Sequence, residues 1–479
     1  MIMRKPIYIA MALLLSICAQ AQDMQRFSQH DFTGTARYMG MAGAMTAIGG
    51  DPTAAVDNPA GLGLYRRKEV SISLDNMWDY TWQKGQNNKE LRTRFAVPEL
   101  AVIWSMGNGN KQRGVIYNNL MFCANRMATF NRSINVSGDV DSQLAETICR
   151  KTNGLTADAL HANDDYMTNL WNNDELGWLS IMGYHGYLID PKGDVDNNWM
   201  PAVALNKSTS LQVEESGYLN QYTISWAMNI SNQWYVGLGL NIPSLTYSKD
   251  MTLRAYGEKN DAYLKSYMFA SGVGFGATIG AIYRPCEWVR IGAAFQTPTM
   301  MSISVSTSGS LTSNLDTMSV SISTPDISSS ISQWVMPMRA NIGVALQVLQ
   351  YAMLSFQYDL SYWKTTTAVH TFRVGTEVNI VKGLYINAGC AFEPTFIKGD
   401  VISELDYNSI RTDTECRYIN GSWYASAGIG YRWNNLMVNA AYQYRRQYVH
   451  QYATEMQYPY FNVLSDTHRF SMTLAWRFN

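Results

Sequence analysis

Residues 469–478 read RFSMTLAWRF. Phe470, Met472, Leu474, Trp476 and Phe478 alternate with Arg469, Ser471, Thr473, Ala475 and Arg477. An extended chain puts every bulky apolar group on one side and both arginines on the other. A dry core would bury those arginines at high cost, whereas a wet lumen accepts them, so the stretch reads as a strand facing lipid outward and water inward.

The same pattern recurs upstream. Val70, Ile72, Leu74, Trp78, Tyr80 and Trp82 alternate with Ser71, Ser73, Asp75, Asp79 and Thr81. Fourteen segments follow this rule: 69–82, 95–105, 114–129, 217–230, 234–247, 267–284, 288–307, 333–347, 352–363, 370–379, 383–393, 421–433, 436–448 and 467–478. The number is even, as single-chain bacterial barrels require. Their connections alternate in length. Those near 106–113, 231–233, 285–287, 348–351, 380–382 and 434–435 are short. Those at 83–94, 130–216, 248–266, 308–332, 364–369, 394–420 and 449–466 are mostly longer. Short turns on one rim and long loops on the other predict an all-β protein, a transmembrane antiparallel β-barrel of about 14 strands. Tryptophans near strand ends (Trp82, Trp226, Trp234, Trp288, Trp334, Trp363, Trp423 and Trp433) fit an interfacial belt.

Composition agrees. Charged residues make up only 16% of the 479, against 14 Trp and 30 Tyr, and the formal charge is −1. That balance gives no reason to expect nucleic acid as a partner. Arg4 and Lys5 precede the apolar run from Ile7 to Ala19, and Ala19-Gln20-Ala21 offers small residues for cleavage. Residues 1–21 therefore read as a signal peptide. Beyond it no apolar run reaches 18 residues, the length a spanning helix needs. Cys123, Cys149, Cys286, Cys390 and Cys416 are too widely spaced for a disulfide framework or a zinc site. Cys149 and Cys416 fall in long connections, and whether they pair stays open.

Before the first strand lies a different kind of sequence. Residues 34–63, GTARYMGMAGAMTAIGGDPTAAVDNPAGLG, are small, glycine-rich and broken by Asp51-Pro52 and Asn58-Pro59. Such a segment has no core of its own and needs an enclosure. Fourteen strands leave more room than their side chains fill, since eight already give a nearly filled interior. Residues 22–68 are therefore expected to form an N-terminal plug inside the lumen, with 69–479 as the barrel.

Gly34, Arg37, Gly40, Gly43, Ala44, Asp51, Asn58, Pro59, Ala60 and Gly61 follow a pattern that resembles the plug of FadL-type (fatty acid and toluene transporter) outer-membrane proteins. The last four stand where that family carries its Asn-Pro-Ala motif. The pattern departs at Ala42, where a further glycine is expected. The resemblance implies an outer-membrane location in a Gram-negative bacterium and passive transport of long-chain fatty acids or similar hydrophobic compounds. It also implies a kinked third strand that opens a lateral gate. The alternative is a barrel of the same family that binds a protein partner or takes part in secretion.

The third strand itself loses its alternation: Asn118-Asn119 and Asn125-Arg126 put polar groups on both faces, as at a bulge. On the sixth strand Gly272, Gly274, Gly276, Thr278 and Gly280 form a bare inward wall beside Gly237 and Gly239, with room for a plug or ligand. Asp75, Asp79, Arg339, Asp359, Arg373, Glu377, Arg432 and Arg445 point inward as a solvated or paired lining. In the long loop 130–216, expected outside the barrel, 141–151 can form a helix bearing Leu144 and Ile148. Asp164 precedes a turn with Met167, Leu170 and Trp171, and Leu176, Trp178, Leu179, Ile181 and Met182 follow. These residues either pack on each other or form a landing patch for a greasy ligand.

No catalytic constellation emerges. The histidines at 30, 161, 185, 370, 450 and 468 are scattered, and no Gly-x-Ser-x-Gly or metal-ligand spacing occurs. The segment Asp194 to Asn198 lacks the glycine and closing glutamate of a calcium loop. The reading is a non-enzyme with no cofactor and no metal, whose partners are hydrophobic small molecules and outer-membrane lipid.

Overall fold

The computed structural model describes residues 26–107, 113–161, 170–193, 195–325, 328–348, 351–362, 368–394, 409–454 and 460–478. The signal peptide read at 1–21, the first residues of the segment read as a plug, and Asp164, Met167 and Trp363 lie outside them.

Fourteen antiparallel strands close into one barrel. They are β1 (Lys68–Gln83), β2 (Glu90–Gly107), β3 (Val115–Thr129, then Arg132–Gly138), β4 (Ser208–Ile230) and β5 (Trp234–Tyr256). Next come β6 (Asp261–Cys286), β7 (Val289–Gln296, then Thr299–Asn314), β8 (Ser328–Met336, then Met338–Val348), β9 (Ala352–Tyr362) and β10 (Ala368–Val381). The last are β11 (Leu384–Glu393), β12 (Cys416–Trp433), β13 (Leu436–Tyr452) and β14 (Tyr460–Phe478). Pairing of β1 with β14, from Lys68↔Phe478 to Gln83↔Val463, closes the sheet. Closure follows from the solvent: no backbone edge can be left unpaired in hydrocarbon. β7 and β8 break side by side near Pro298 and Pro337, residues that cannot donate to a ladder.

Strands β4 to β6 run far longer than their lipid-facing pattern foretold. β6 has 26 residues, whereas roughly 9–11 suffice to cross a bilayer. Along each of them the two faces exchange character. On the lower half of β4, Tyr222, Ile224 and Trp226 point outward and Thr223 and Ser225 inward. On its upper half, Gln212 and Glu214 point outward while Leu211 and Val213 are buried inside. β5 changes over between Ile242 and Ser244, and β6 between Val273 and Ser271. The strands leave lipid there and enclose an apolar core instead.

Residues 26–67 occupy the barrel interior and are almost wholly buried. Local chemistry shapes them into α1 (Ala36–Gly40), α2 (Pro52–Asp57) and a 3₁₀ turn (Pro59–Leu64). Thr35 caps α1. Asp51 Oδ1 accepts from the amides of Thr53 and Ala54 to cap α2, with Pro52 in the first turn where no amide is needed. Asn58 Oδ1 caps the 3₁₀ turn through the Ala60 amide. Ala42, where the family pattern calls for glycine, has φ +49°, a left-handed conformation that glycine adopts without strain.

Between β3 and β4 the chain builds α3 (Leu144–Thr152), α4 (Ala157–Leu160), α5 (Trp178–His185) and a hairpin of Ile189–Lys192 with Val195–Pro201. Leu144, Ile148, Leu170, Trp171, Leu176, Trp178, Leu179, Ile181 and Met182 are buried in one cluster with Leu211, Leu253 and Leu264 of the strand tops. They pack on each other as a cap rather than forming an exposed patch. Cys123, Cys149, Cys286 and Cys390 are free thiols, so Cys149 is not joined to Cys416.

Candidate functional site

Two features of the interior bear on function: how residues 26–67 are held, and how the wall departs from a continuous ladder beside them.

The Asn58-Pro59-Ala60-Gly61 turn sits on the bare part of the wall. A Cβ on Gly280 would strike Asn58 Oδ1, and one on Gly237 would strike the Pro59 and Ala60 backbone. Asn58 Nδ2 donates to the Thr46 carbonyl at 2.8 Å, tying two turns of the segment together. Gly61 lies against Gly49, and Gly34 against Thr53. Gly40 packs on Asn387, its carbonyl accepting from Ser426, and Gly43 faces Arg373. Ala44 is fully buried. Of the glycine wall, only Gly237 and Gly280 face this segment; Gly272, Gly274 and Gly276 instead accommodate Ile303, Met301 and Thr299 of β7.

Charge holds the segment to the wall. Arg37 makes a two-pronged pair with Glu377, at 2.7 and 3.0 Å, and donates to the Gly50 carbonyl. Asp31 receives Arg445 at 2.6 Å and Arg469 at 3.2 Å. Arg26 reaches Glu215 at 3.0 Å and Glu415 at 2.9 Å. Glu415 also pairs with Lys249, which holds Asp413 too. Burial alone would raise both carboxyls of the 409–415 connection. Arg411 and Lys249 at Asp413, and Lys249 and Arg26 at Glu415, outweigh it and hold them well below the usual carboxylate range. Buried pairs add little net stability, but removing one partner costs about 3–5 kcal/mol, so these pairs fix position. Most of the inward charges read from sequence are thus a paired lining. Asp75 lies near Arg469, Asp79 near Arg132, and Asp359 against Arg373. Sequence reading missed Arg26, Asp31, Glu215, Lys249, Asp413 and Glu415. Their only signal was a charge at an inward or loop position, which does not name a partner.

The wall departs from a regular ladder at β3. Asn118 and Asn119 sit in unbroken pairing with β4, and Asn119 Nδ2 donates to the Leu62 and Tyr65 carbonyls. The register slips just beyond Asn125, between Arg126 and Ala128. Pairing of β2 with β3 runs only from Glu99↔Asn125 down to Gly107↔Tyr117. Above it, the second segment of β3 pairs with β4 and turns inward behind β1, where Ser133 accepts from Thr81 and Arg132 meets Asp79. Among the described residues, 90–96 of β2 therefore have β1 as their one ladder neighbour. Pro98 lies at the break, opposite a register shift in β1.

Side chains span what the ladder leaves open. Arg94 Nη1 donates to the Gly217 carbonyl at 2.8 Å, and Asn131 Nδ2 to the Thr93 carbonyl at 3.2 Å. Arg94 and Arg126 both lie over the Tyr218 ring, at 5.3 and 4.8 Å. On the inner side, residues 31–33 take up the backbone groups that β3 withdraws from β2. The Asp31 amide donates to the Met127 carbonyl, Thr33 Oγ1 to the Arg126 carbonyl, and the Thr129 amide to Asp31 Oδ2. Outside, Leu91, Phe95 and Val97 are exposed, Phe95 by 68%. Buried backbone groups must find partners; here the partner is the N-terminal segment, so its position and the shape of β3 depend on each other.

Across the lumen, a cavity between residues 28–32 and β8 to β11 is lined by Ser28, His30, Asp57, Arg339, Arg373 and Glu393. Its volume is about 40 Å³, enough for a few waters and too small for a fatty acid.

Solved structures resemble this architecture over nearly the whole chain. A Pseudomonas aeruginosa FadL homologue matches with a TM-score of 0.54 at 12% identity, covering 93% of this chain and 99% of that one. The Pseudomonas putida toluene transporter TodX gives 0.52 at 10%, covering 94% and 100%. The Ralstonia pickettii toluene transporter TbuX gives 0.51 at 12%, covering 94% and 99%. The likeness is one of fold. No family model and no curated protein sequence matches the chain.

Proposed function

We infer that the chain is a passive outer-membrane conduit for hydrophobic compounds, long-chain fatty acids or similar, which leave the lumen sideways between β2 and β3. The observation that carries this reading is the stretch where β2 lacks β3 and the interval is bridged by side chains, Arg92 to Glu214, Arg94 to Gly217, Asn131 to Thr93 and Asn135 to Glu90. A hydrophobic molecule gains nothing from a wet pore. Passing into lipid returns about 0.8 kcal/mol per buried CH₂. Side-chain bridges open at far less cost than a backbone ladder, because the groups they release can be hydrated or repaired locally. The solved transporters of like fold, described as carrying toluene or as FadL homologues, support the same class of cargo. Residues 26–67, pinned by Asn58 and by pairs through Arg37 and Asp31, act as the plug. Their bonds to β3 make a displaced plug and an open side exit one event.

A cross-link tests the exit. Thr93→Cys with Asn131→Cys, in a background where Cys286 and Cys390 are alanine, places two thiols across the interval. Joining them with a short bis-maleimide should abolish uptake of a labelled long-chain fatty acid by cells. Neither single variant treated alike should do so. Full uptake by the cross-linked protein would rule out this exit.

A further inference from the structure

At the other end of the barrel, the short turns surround a cavity that the transport reading does not use. It lies beneath residues 50 and 64–67 and is lined by Leu64, Tyr65, Arg66, Arg67, Arg432 and Arg477. Its volume is about 390 Å³, within the roughly 300–1,000 Å³ typical of small-molecule sites. Arg432 stands between lipid-facing Tyr431 and Trp433, and Arg477 beside lipid-facing Trp476, so alternation turns both guanidinium groups into the lumen.

The charges do not balance. Arg477 pairs with Glu69 and lies over the Tyr65 ring. The next carboxylate inward, Glu377, is taken by Arg37. Among the described residues Arg67 reaches only the neutral side chain of Asn435, donating to its Oδ1 at 3.5 Å. Arg66 and Arg432 have no carboxylate partner among the described residues. Three guanidinium groups facing one cavity without a counter-charge repel each other, and no element of the fold rests on them. Arg66 and Arg432 are exposed, so neither is needed to fill a core. Guanidinium groups favour planar, two-pronged contact with oxyanions. Three of them suit the double charge of phosphate better than a single carboxylate.

We propose that this vestibule is a phosphate-binding site on the short-turn, periplasmic side, formed by Arg66, Arg67 and Arg432. The phosphate comes either on a soluble molecule or as the headgroup of a phospholipid. The inward direction of Arg432 favours the soluble source.

The test uses the full mature protein in detergent. Titration calorimetry with inorganic phosphate at low salt should show one saturable site that weakens as salt rises. Arg432→Gln and Arg66→Gln should each reduce affinity about tenfold. Arg113→Gln, an exposed arginine on a neighbouring short turn, should leave it unchanged. Heat-modifiable migration on gels confirms that each variant is folded. If inorganic phosphate does not bind, native mass spectrometry of protein from phosphatidylglycerol nanodiscs decides. Retention of that lipid, lost in Arg432→Gln, assigns the site to a headgroup. Neither ligand binding, or equal loss in Arg113→Gln, overturns the proposal. Fatty-acid uptake is a separate readout, so failure of the site and failure of the conduit are distinguishable.

Discussion

The lower and upper halves of β4 to β6 are one continuous sheet with opposite insides. Within the bilayer Ile224, Leu240 and Phe275 face lipid while Thr223, Asn241 and Thr278 face a polar lumen. Above it Gln212, Thr252 and Lys265 face water while Leu211, Leu253 and Leu264 are buried under the cap. The backbone pairing does not change, as the β4–β5 register runs unbroken from Ser208↔Tyr256 to Ile230↔Trp234. Sheet geometry is therefore indifferent to which face is apolar. The outer solvent selects it: lipid demands an apolar outside, and water demands an apolar inside. The lower half is a membrane protein, and the upper half is a small soluble domain built on the same strands.

This contrast is open to test, and the largest effect lies in the cap. Trp178 is 1% exposed, and its indole donates to the Trp171 carbonyl. Trp178→Ala should destabilise the cap by about 3–5 kcal/mol. Limited proteolysis should then cut within 139–206 while the barrel keeps its heat-modifiable migration. Barrel loss instead would show that the halves are one cooperative unit.

A charge scan along β4 should locate the changeover. Ile224→Arg on the lipid face should cost roughly 2–4 kcal/mol in folding into vesicles. Gln212→Arg on the same face, twelve residues higher, should stay within about 0.5 kcal/mol. Equal costs would place both positions in one environment.

The polar lower lumen should yield to loss of single hydrogen bonds. Asn58→Ala removes the cap of the 3₁₀ turn and the bond to the Thr46 carbonyl, worth about 1–2 kcal/mol. Bilayer conductance should rise above that of wild type and remain below that of a variant lacking residues 26–67. An unchanged conductance would remove Asn58 as a pin.

Relief of strain should be smaller still. Ala42→Gly frees a residue at φ +49°, and the gain is offset in part by the looser unfolded chain. The net gain should be about 0.5 kcal/mol in a denaturant titration. A loss would mean that the Ala42 methyl contributes more by packing than its backbone loses.

The smallest effect concerns pH in the upper half. Asp413 and Glu415 have lowered carboxyl pKa values in the folded state. Their contribution is therefore complete above the unfolded value of about 4, and is lost only as pH falls through the lowered folded values. Hydrogen exchange of 409–415, corrected for its intrinsic pH dependence, should stay flat between about pH 5 and 8 and rise only in strong acid. Loosening near neutral pH would contradict the ion-pair lock.

Much of the lower half was legible in the sequence. Lipid allows no polar side chain outward and no unpaired edge, so alternation and loop lengths marked all fourteen strands, and the small-residue stretch 34–63 announced a segment without its own core. The breaks at Asp51-Pro52 and Asn58-Pro59 were legible too, though not the helix caps that Asp51 and Asn58 form there. The tops of β4 to β6 escaped notice because alternation there obeys the opposite rule, and Trp334, read as an interfacial tryptophan, turns inward and stacks on Phe27. Tertiary structure alone decided which charges meet. Arg37 finds Glu377 and Asp31 finds Arg445 across more than three hundred residues, and only the closed barrel brings them together. It also decided where β3 leaves β2. The polar pair Asn125-Arg126 marks the place, but the departure is stable only because residues 31–33 satisfy the backbone groups it exposes. Alternation is a local property that one solvent imposes on one strand. Partnership is a property of the enclosed volume, which no strand possesses alone.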